Sequence, residues 1–568
     1  MTQDMYDVAI VGGGPAGSTT GTLLKKYNPK LKVLIVEKEK FPRDHVGESQ
    51  LPQISAILDE MGCWDKVEAA NFPIKIGATY RWGKSPELWD FEFLPLSDFK
   101  DEARPAKYQG QRQQTAFQVD RAVYDNILLR HAEELGCEVR EQTPVAGVEV
   151  EGDQINALQL KNGETVTARY YVDASGHIGL LRRALGVESH SPTRLQNVAI
   201  WDYWENAEWA VEIGVGGTRV QVMSLSHGWI WFIPLGPTRT SIGFICPASH
   251  YKKLKKRPEA IYHEALKSEP RIAKLITNAT YRSQVETTKD WSFLADRTVG
   301  ENWFLAGEAA GFADPILAAG MTLTHVSARE AAYTILELER GQQDSAWLKT
   351  HYDRNQRQRI QQHIRFADYW YAANGQFTDL QKHCRDIAKD AGLRLSPENA
   401  FRWLAQGGFT NDVLGQAAIG GLNPTAIKQV MQRFSQKDAT WQISGFNIFK
   451  LNLTGTTEEF VPIYGKGRIT QVQCYVKDSK RLPITGVYGM LIKVLERTSE
   501  IGQINRAIQK IVQTQFSPQH AQVVFNEALQ ALEVMVNEGW VKAKVDKKKP
   551  KLQVSTPNEA ALIHTHQD

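Results

Sequence analysis

The chain has 568 residues, 42% of them hydrophobic and 23% charged, with 67 Lys and Arg against 64 Asp and Glu for a formal charge of +3. That length calls for two or three structural units of roughly 100–200 residues, the composition excludes a disordered or fibrous chain, and the balanced charge gives no field to steer a polyanion, which disfavours nucleic acid. No apolar run approaches the roughly 18 residues that span a bilayer, residues 1–10 lack a basic stretch leading into a long apolar one, and five scattered cysteines without a C-x-x-C pair suggest neither disulfides nor a metal site, so a cytoplasmic protein free of membrane is expected.

Residues 5–11 read as a buried parallel strand that runs into Gly12-Gly13-Gly14-Pro15-Ala16-Gly17, followed by a helical pattern to about Tyr27 and a second apolar strand over 32–36 that ends at Glu37. Each glycine has a physical task. Gly12 permits the tight turn, Gly14 lets backbone approach a pyrophosphate, and Gly17 lets the helix pack on the strand, with its positive N-terminal end facing the phosphates. Glu37 stands 20 positions after Gly17, where a carboxylate accepts both ribose hydroxyls of an adenosine that lacks a 2′-phosphate. The unit therefore binds a dinucleotide.

Residues 84–115 carry Trp89, Phe91, Phe93 and Tyr108, which suits either a lid over a substrate or an aromatic loop packed on a sheet. Strands follow at 146–150, 156–160, 166–173, 197–204, 219–225, 229–235 and 240–245, enough for a second sheet between the nucleotide-binding pieces. Strand-and-turn character returns at Trp303–Glu308, with a helix from about Met321 to Arg340. From about 345 the pattern is mostly helical, with a polar turn region over 440–480. Residues 486–568 look separate: Ile504, Ile508 and Ile511 repeat at helical spacing, as do Leu529, Leu532 and Val536, and Gly539 stands as a helix stop. Two helices and a basic hairpin bearing Lys542, Lys544, Lys547, Lys548, Lys549 and Lys551 resemble a winged helix, although a solvated charge run is the simpler reading of those lysines.

Three ordered segments choose between nucleotides. Arg121 in Val119-Asp120-Arg121, Asp173 in Val172-Asp173-Ala174-Ser175-Gly176, and Gly307-Glu308-Ala309-Ala310-Gly311 through Asp314, Pro315 and Gly320 resemble the FAD-dependent monooxygenase superfamily. Glu308 departs from that pattern, which usually has aspartate. Within the superfamily, Phe41-Pro42-Arg43-Asp44-His45-Val46-Gly47-Glu48-Ser49 and the hexapeptide Trp229-Ile230-Trp231-Phe232-Ile233-Pro234 are similar to flavin-dependent halogenases, whose W-x-W-x-I-P signature the hexapeptide matches throughout. On a strand, Trp229, Trp231 and Ile233 share one face.

The resemblance covers about residues 4–345. It implies an α/β fold: a glutathione-reductase-like FAD-binding domain with an inserted second β-sheet substrate domain, plus a mostly helical C-terminal extension that ends in a winged-helix-like unit. The nucleotide domain would be discontinuous (1–80, 110–190, 285–345) around a substrate sheet at 190–285, followed by a helical extension and linker at 346–485 and the terminal unit at 486–568. The layout is most similar to the aliphatic or carrier-tethered branch of chloramphenicol-pathway type.

The resemblance further implies FAD held by Gly12, Gly14, Pro15, Ala16, Gly17, Glu37, Lys38, Arg43, His45, Gly47, Arg121, Asp173, Glu308, Pro315, Gly320 and Met321. Chloride or bromide would sit on the backbone of Ala319, Gly320 and Met321, and Ala319 departs from the Ser or Thr common before that glycine. Lys75 stands where the family's tunnel lysine belongs, with Glu48, Ser49, Trp229 and Trp231 as the other catalytic candidates. In that branch a carboxylate esterifies the flavin 8-methyl, and Asp290 is the candidate position. A separate flavin reductase would deliver reduced FAD, since no second strand–G-x-G-x-x-G–helix unit exists for NADPH. The substrate would be a small molecule or a carrier-tethered group. Ala319 favours the alternative of a flavin oxygenase that uses no halide, and a regulatory protein acting through 486–568 is a third reading.

Overall fold

A computed structural model describes residues 5–390, 429–430, 433–434, 442–477, 480–515, 518–550 and 563–565. Tyr6–Val11, Val33–Val36, Glu138–Arg140, Ala168–Asp173 and Trp303–Leu305 form one five-stranded parallel sheet with Tyr6–Val11 at its centre. Val8 and Ile10 are fully buried there against helix Pro15–Tyr27 and helix Gly320–Arg340, whose small residues let them approach one another, and Ala9 is fully buried on the opposite face with Ile155 and Leu158. The strand–glycine–helix unit thus forms as its pattern predicts, and the helix over 320–340 ends at Gly341 with φ +63°.

The inserted sheet is larger than the sequence suggests. Gln196–Glu205, Arg239–Pro247, Gly228–Pro234 and Gly217–Leu225 run side by side as antiparallel neighbours, and the order continues with Ile74–Arg81, parallel to Gly217–Leu225, and Trp89–Glu92. Glu286–Trp291 joins beside Gln196–Glu205. The division at residues 80, 190 and 285 is therefore corrected: Ile74–Arg81 and Glu286–Trp291 belong to the substrate sheet. The pairing of Ile74 with Gly217 leaves no local signal, since partners so far apart in the chain are joined only by tertiary packing. The aromatic stretch after residue 84 packs on this sheet, where Trp89 is fully buried.

Two further expectations change. The region at 440–480 is a meander of Thr457–Gly465, Arg468–Lys477 and Lys480–Pro483, not a polar turn; Val461, Ile463, Ile469 and Val476 supply β-branched residues that outweigh the surrounding polar ones. Among the described residues the terminal unit has three helices, Gly486–Arg497, Ile501–Gln515 and Pro518–Glu538. The basic run contributes a single strand, Val541–Lys544, which pairs antiparallel with Ile448–Leu451 instead of folding back as a hairpin. Its backbone bonds are satisfied by a distant strand. Lys551 lies outside the described residues. Among the described residues no helix is long and apolar enough to cross a membrane.

Candidate active site

The glycine turn is sterically determined. Gly12 has φ +111°, and a Cβ there would lie 2.3 Å from the Ala174 carbonyl oxygen. A Cβ on Gly17 would lie 1.9 Å from the Gly12 carbonyl oxygen, whereas Gly14 has open space with only Arg43 Nη2 at 3.5 Å. The Glu37 carboxylate accepts from the backbone N–H of Gly13 at 2.7 Å and of Glu39 at 2.9 Å, so it is held at the edge of the turn. Pro15, Ala16, Lys38 and His45 line the same cavity.

Arg121 lines the cavity, as a cofactor-binding residue would. Its guanidinium donates to both oxygens of Asp125, at 2.7 and 2.9 Å, and to the carbonyls of Val46 and Gly47, at 3.0 and 3.1 Å. It clamps the loop that carries Gly47, Glu48 and Ser49. Arg43 is the guanidinium beside the turn, and its Nη1 is buried without a hydrogen bond.

Two residues expected at the site are not among those that line the cavity. The Asp173 carboxylate is consumed by Ser175 N and Oγ, at 3.1 and 2.6 Å, and by Arg182 N at 3.0 Å; the cavity wall there is Ala174 to His177. An aspartate at a strand end caps the following turn unless something outcompetes those donors. Ala319 lies in the core at 1% exposure, and Ala318, Gly320 and Met321 form the wall. Glu308 and Pro315 line the cavity as expected, with the Glu308 carboxyl pushed up by burial. Asp290 pairs with Asn197 across the sheet, and its side chain lies outside the described residues.

The signature strand splits as its alternation predicts. Trp229, Trp231 and Ile233 face the cavity, while Ile230 and Phe232 pack with Ile261 and Tyr262 on the other side. Gly243 makes room for Trp231, since a Cβ would come within 2.1 Å of the indole. Both indole N–H groups are tied down: Trp231 Nε1 donates to Ser241 Oγ at 3.1 Å, and Trp229 Nε1 to Tyr371 Oη at 2.7 Å. Tyr371 donates in turn to Asp314 Oδ1 at 3.3 Å, and Asn197 to Asp314 Oδ2 at 3.3 Å. Burial raises the Asp314 carboxyl well above its ordinary range. Tyr371→Phe is expected to leave the indole N–H without its acceptor and to cost about 1–3 kcal/mol, read by denaturant unfolding.

Lys75 is 2% exposed, and its Nζ donates to the Gln50 carbonyl at 2.9 Å. A bulge aims it. In the pairing with Gly217–Leu225, Lys75 opposes Thr218 and Gly77 opposes Arg219, so Ile76 has no partner and the alternation shifts by one residue. Lys75, Ala78 and Tyr80 consequently all line the cavity. Beside them Glu48, buried at 2%, accepts from Gly47 N at 3.0 Å and Tyr203 Oη at 3.1 Å, and burial raises its carboxyl.

Burial lowers the Lys75 ammonium to about 7. Between that value and the unfolded lysine's pKa of about 10.4, the unfolded chain holds one proton more than the folded chain, so stability rises with pH. Unfolding free energy measured from pH 7 to 10 should therefore climb relative to Lys75→Met by about 1 kcal/mol per unit, and a flat difference would contradict a buried neutral amine.

One cavity of about 1200 Å3 runs from Gly12 and Glu37 through Gly47 and Met321 to Lys75 and Trp231. Its open glycine turn, the Arg43 guanidinium beside it, which pairs with Asp125 Oδ2 at 3.4 Å, and the buried Ser49 Oγ, without a hydrogen-bond partner among the described residues, suit a large polar cofactor such as FAD. Residues 5–367 match the FAD binding domain family. A tryptophan 2-halogenase of Chondromyces crocatus is 33% identical over 61% of this chain and 64% of its own length, so the chain spans just under two thirds of that relative. The 1H-pyrrole-2-carbonyl-(peptidyl-carrier protein) chlorinase of Pseudomonas fluorescens is 32% identical over 66% of this chain and 86% of its own. The chain belongs to the flavin-dependent halogenase family. The crystal structure of CmlS, a flavin-dependent halogenase, shares the fold over 97% of this chain and 98% of that one, with a TM-score of 0.72 at 24% identity.

Tyr203 and Tyr371 are the groups beside the site that the sequence concealed. Tyr371 comes from helix Ser345–Ala372, 142 residues from Trp229, and a tyrosine within a helical run carries no sign of that partner. Tyr203 sits in a strand whose aromatic residues read equally well as core.

Proposed function

We propose that the protein is a two-component FAD-dependent halogenase that uses reduced FAD from a separate flavin reductase, dioxygen and chloride or bromide to form hypohalous acid, which Lys75 presents to an electron-rich or activated substrate. The observation that carries this reading is the buried Lys75 amine in the same cavity as the dinucleotide turn. When bound, reduced FAD would supply the two electrons that bring dioxygen to the peroxide level, and that oxygen would in turn take two electrons from the halide to give hypohalous acid.

The chain's own residues have separate tasks. Gly12, Gly14 and the start of helix Pro15–Tyr27 receive the pyrophosphate, and Glu37 the ribose. Backbone N–H groups at the start of helix Gly320–Arg340 suit an anion. Trp229, Trp231 and Ile233 wall the passage with apolar surface and keep bulk water from the oxidant. Lys75 titrates near neutrality, so it either donates to hypohalous acid or, as free amine, accepts the halogen. The substrate is a small molecule or a carrier-tethered group, as the chlorinase relative's name illustrates.

Oxygen transfer without halide is the second reading, favoured by Ala319, which offers no hydroxyl beside the helix start. Turnover with reductase, FAD, oxygen and bromide, trapped by monochlorodimedone or a phenol and read by mass spectrometry, tests both. Brominated trap supports halogenation, whereas oxygenated trap without bromine supports the second reading.

A further inference from the structure

Five strands of the inserted sheet, Ile74–Arg81, Trp89–Glu92, Gly217–Leu225, Gly228–Pro234 and Arg239–Pro247, line one part of the cavity, and Gln196–Glu205 and Glu286–Trp291 line another. Of the side chains the first five contribute to it, Lys75 alone is charged; Ala78, Phe91, Val220, Val222 and Ile245 are among the apolar remainder. The two tryptophan N–H groups are already bonded to Tyr371 and Ser241. One polar group is left over. Tyr80 is 6% exposed and lines the cavity, its ring stacks on Trp89 at 4.8 Å and meets Trp370 at 5.3 Å, and its hydroxyl has no hydrogen-bond partner among the described residues.

The hydroxyl opens onto the cavity instead of being sealed among side chains, and a ring packed against two indoles has little freedom to swing toward a protein partner. The hydroxyl therefore awaits something in the cavity. Burial keeps the phenol protonated by raising its pKa, so it both donates to an oxygen or nitrogen and accepts from an O–H or N–H. No carboxylate on these five strands faces the cavity to balance a cation, and Lys75, toward the other end of its strand from Tyr80, is their one group able to balance an anion; an unpaired charge beside Tyr80 is heavily penalised.

We infer that Tyr80 is the specificity residue of the site: its hydroxyl anchors the one neutral polar group of an uncharged, largely apolar, planar substrate whose reacting carbon lies toward Lys75. This rests on the halogenase reading for the role of Lys75 but concerns a different residue. At about 3.3 Å per residue, the two Cα atoms are roughly 15 Å apart along their strand, so the anchor and the amine lie toward opposite ends of the bound molecule. A zwitterionic amino acid is excluded from the Tyr80 end by the lack of charged partners.

Calorimetric titration of the FAD-loaded protein with 2-naphthol, naphthalene and 2-naphthoate tests the inference without turnover. The expected order is 2-naphthol tightest, naphthalene about fivefold weaker and 2-naphthoate weakest. Tyr80→Phe should bring 2-naphthol down to the affinity of naphthalene while naphthalene itself is unchanged, which also shows that the variant is folded. Equal loss of both ligands, no loss of 2-naphthol, or tight binding of 2-naphthoate would overturn it. If the wild-type protein never halogenates a trap yet Tyr80→Phe behaves as described, the halogenase reading fails and the anchor stands.

Discussion

Lys75→Ala is expected to reduce halogenated product by at least about a hundredfold, the lower end of what a positioned proton-transfer group contributes, while reduced flavin is still oxidised by oxygen at close to the wild-type rate. The dissociation follows from placement. Lys75 touches Gln50 and lies 5.4 Å from the Phe93 ring, whereas the dinucleotide turn is built from Gly12 to Gly17 and Glu37. Nothing that forms the turn depends on the amine, but an electrophile released at the flavin end would meet no group able to hold it. Removing a buried cation's stem also leaves a void beneath Phe93, so Lys75→Met, which keeps the volume, separates chemistry from packing. Both variants should give the same loss of product by mass spectrometry, with unaltered flavin oxidation followed by absorbance. Halogenated product from Lys75→Met at wild-type yield would remove Lys75 from the mechanism.

Gly17→Ala should abolish FAD binding, weakening it by at least about a hundredfold, and lower stability by on the order of 3 kcal/mol. The added methyl would sit 1.9 Å from the Gly12 carbonyl oxygen and 3.2 Å from Ile10 Cγ2. The first of these is backbone in a turn whose own conformation, φ +111° at Gly12, is fixed by the closeness of Ala174. No rotamer relieves the overlap. The helix must move off the strand, and with it the N–H groups that face the pyrophosphate. Flavin retained through purification and denaturant unfolding of the apoprotein are the two readouts. Gly62→Ala, at a helix end where a Cβ meets nothing within 4 Å, should lose only the conformational advantage of glycine at φ +83°, about 1 kcal/mol, and keep its flavin.

The nucleotide unit was legible because its constraints are local. Tyr6–Val11, the six-residue glycine turn, the helix to Tyr27 and Glu37 all lie within one stretch, and each glycine answers a contact made a few residues away or to one adjacent strand. The alternation that puts Trp229 and Trp231 on one face is likewise a property of a single strand. The contacts of the motif's polar side chains were not legible in the same way. Asp173 and Arg121 stand where the motif puts them, yet their polar atoms are taken by Ser175, Arg182, Asp125 and the Val46 and Gly47 carbonyls, because a buried charge is satisfied by the nearest donors and acceptors rather than by a role.

By itself, then, the sequence determined that this chain binds a dinucleotide at its first turn and carries an aromatic strand with a lysine upstream, since those features depend on residue type and short-range geometry. The tertiary structure decided that Ile74–Arg81 joins the distant sheet in parallel, that the Ile76 bulge turns Lys75 onto the same face as Tyr80, and that Tyr371 reaches Trp229 from a helix beyond the nucleotide domain. Such pairings are fixed by the burial of whole faces and the satisfaction of single polar atoms, and neither quantity exists until the chain has closed on itself.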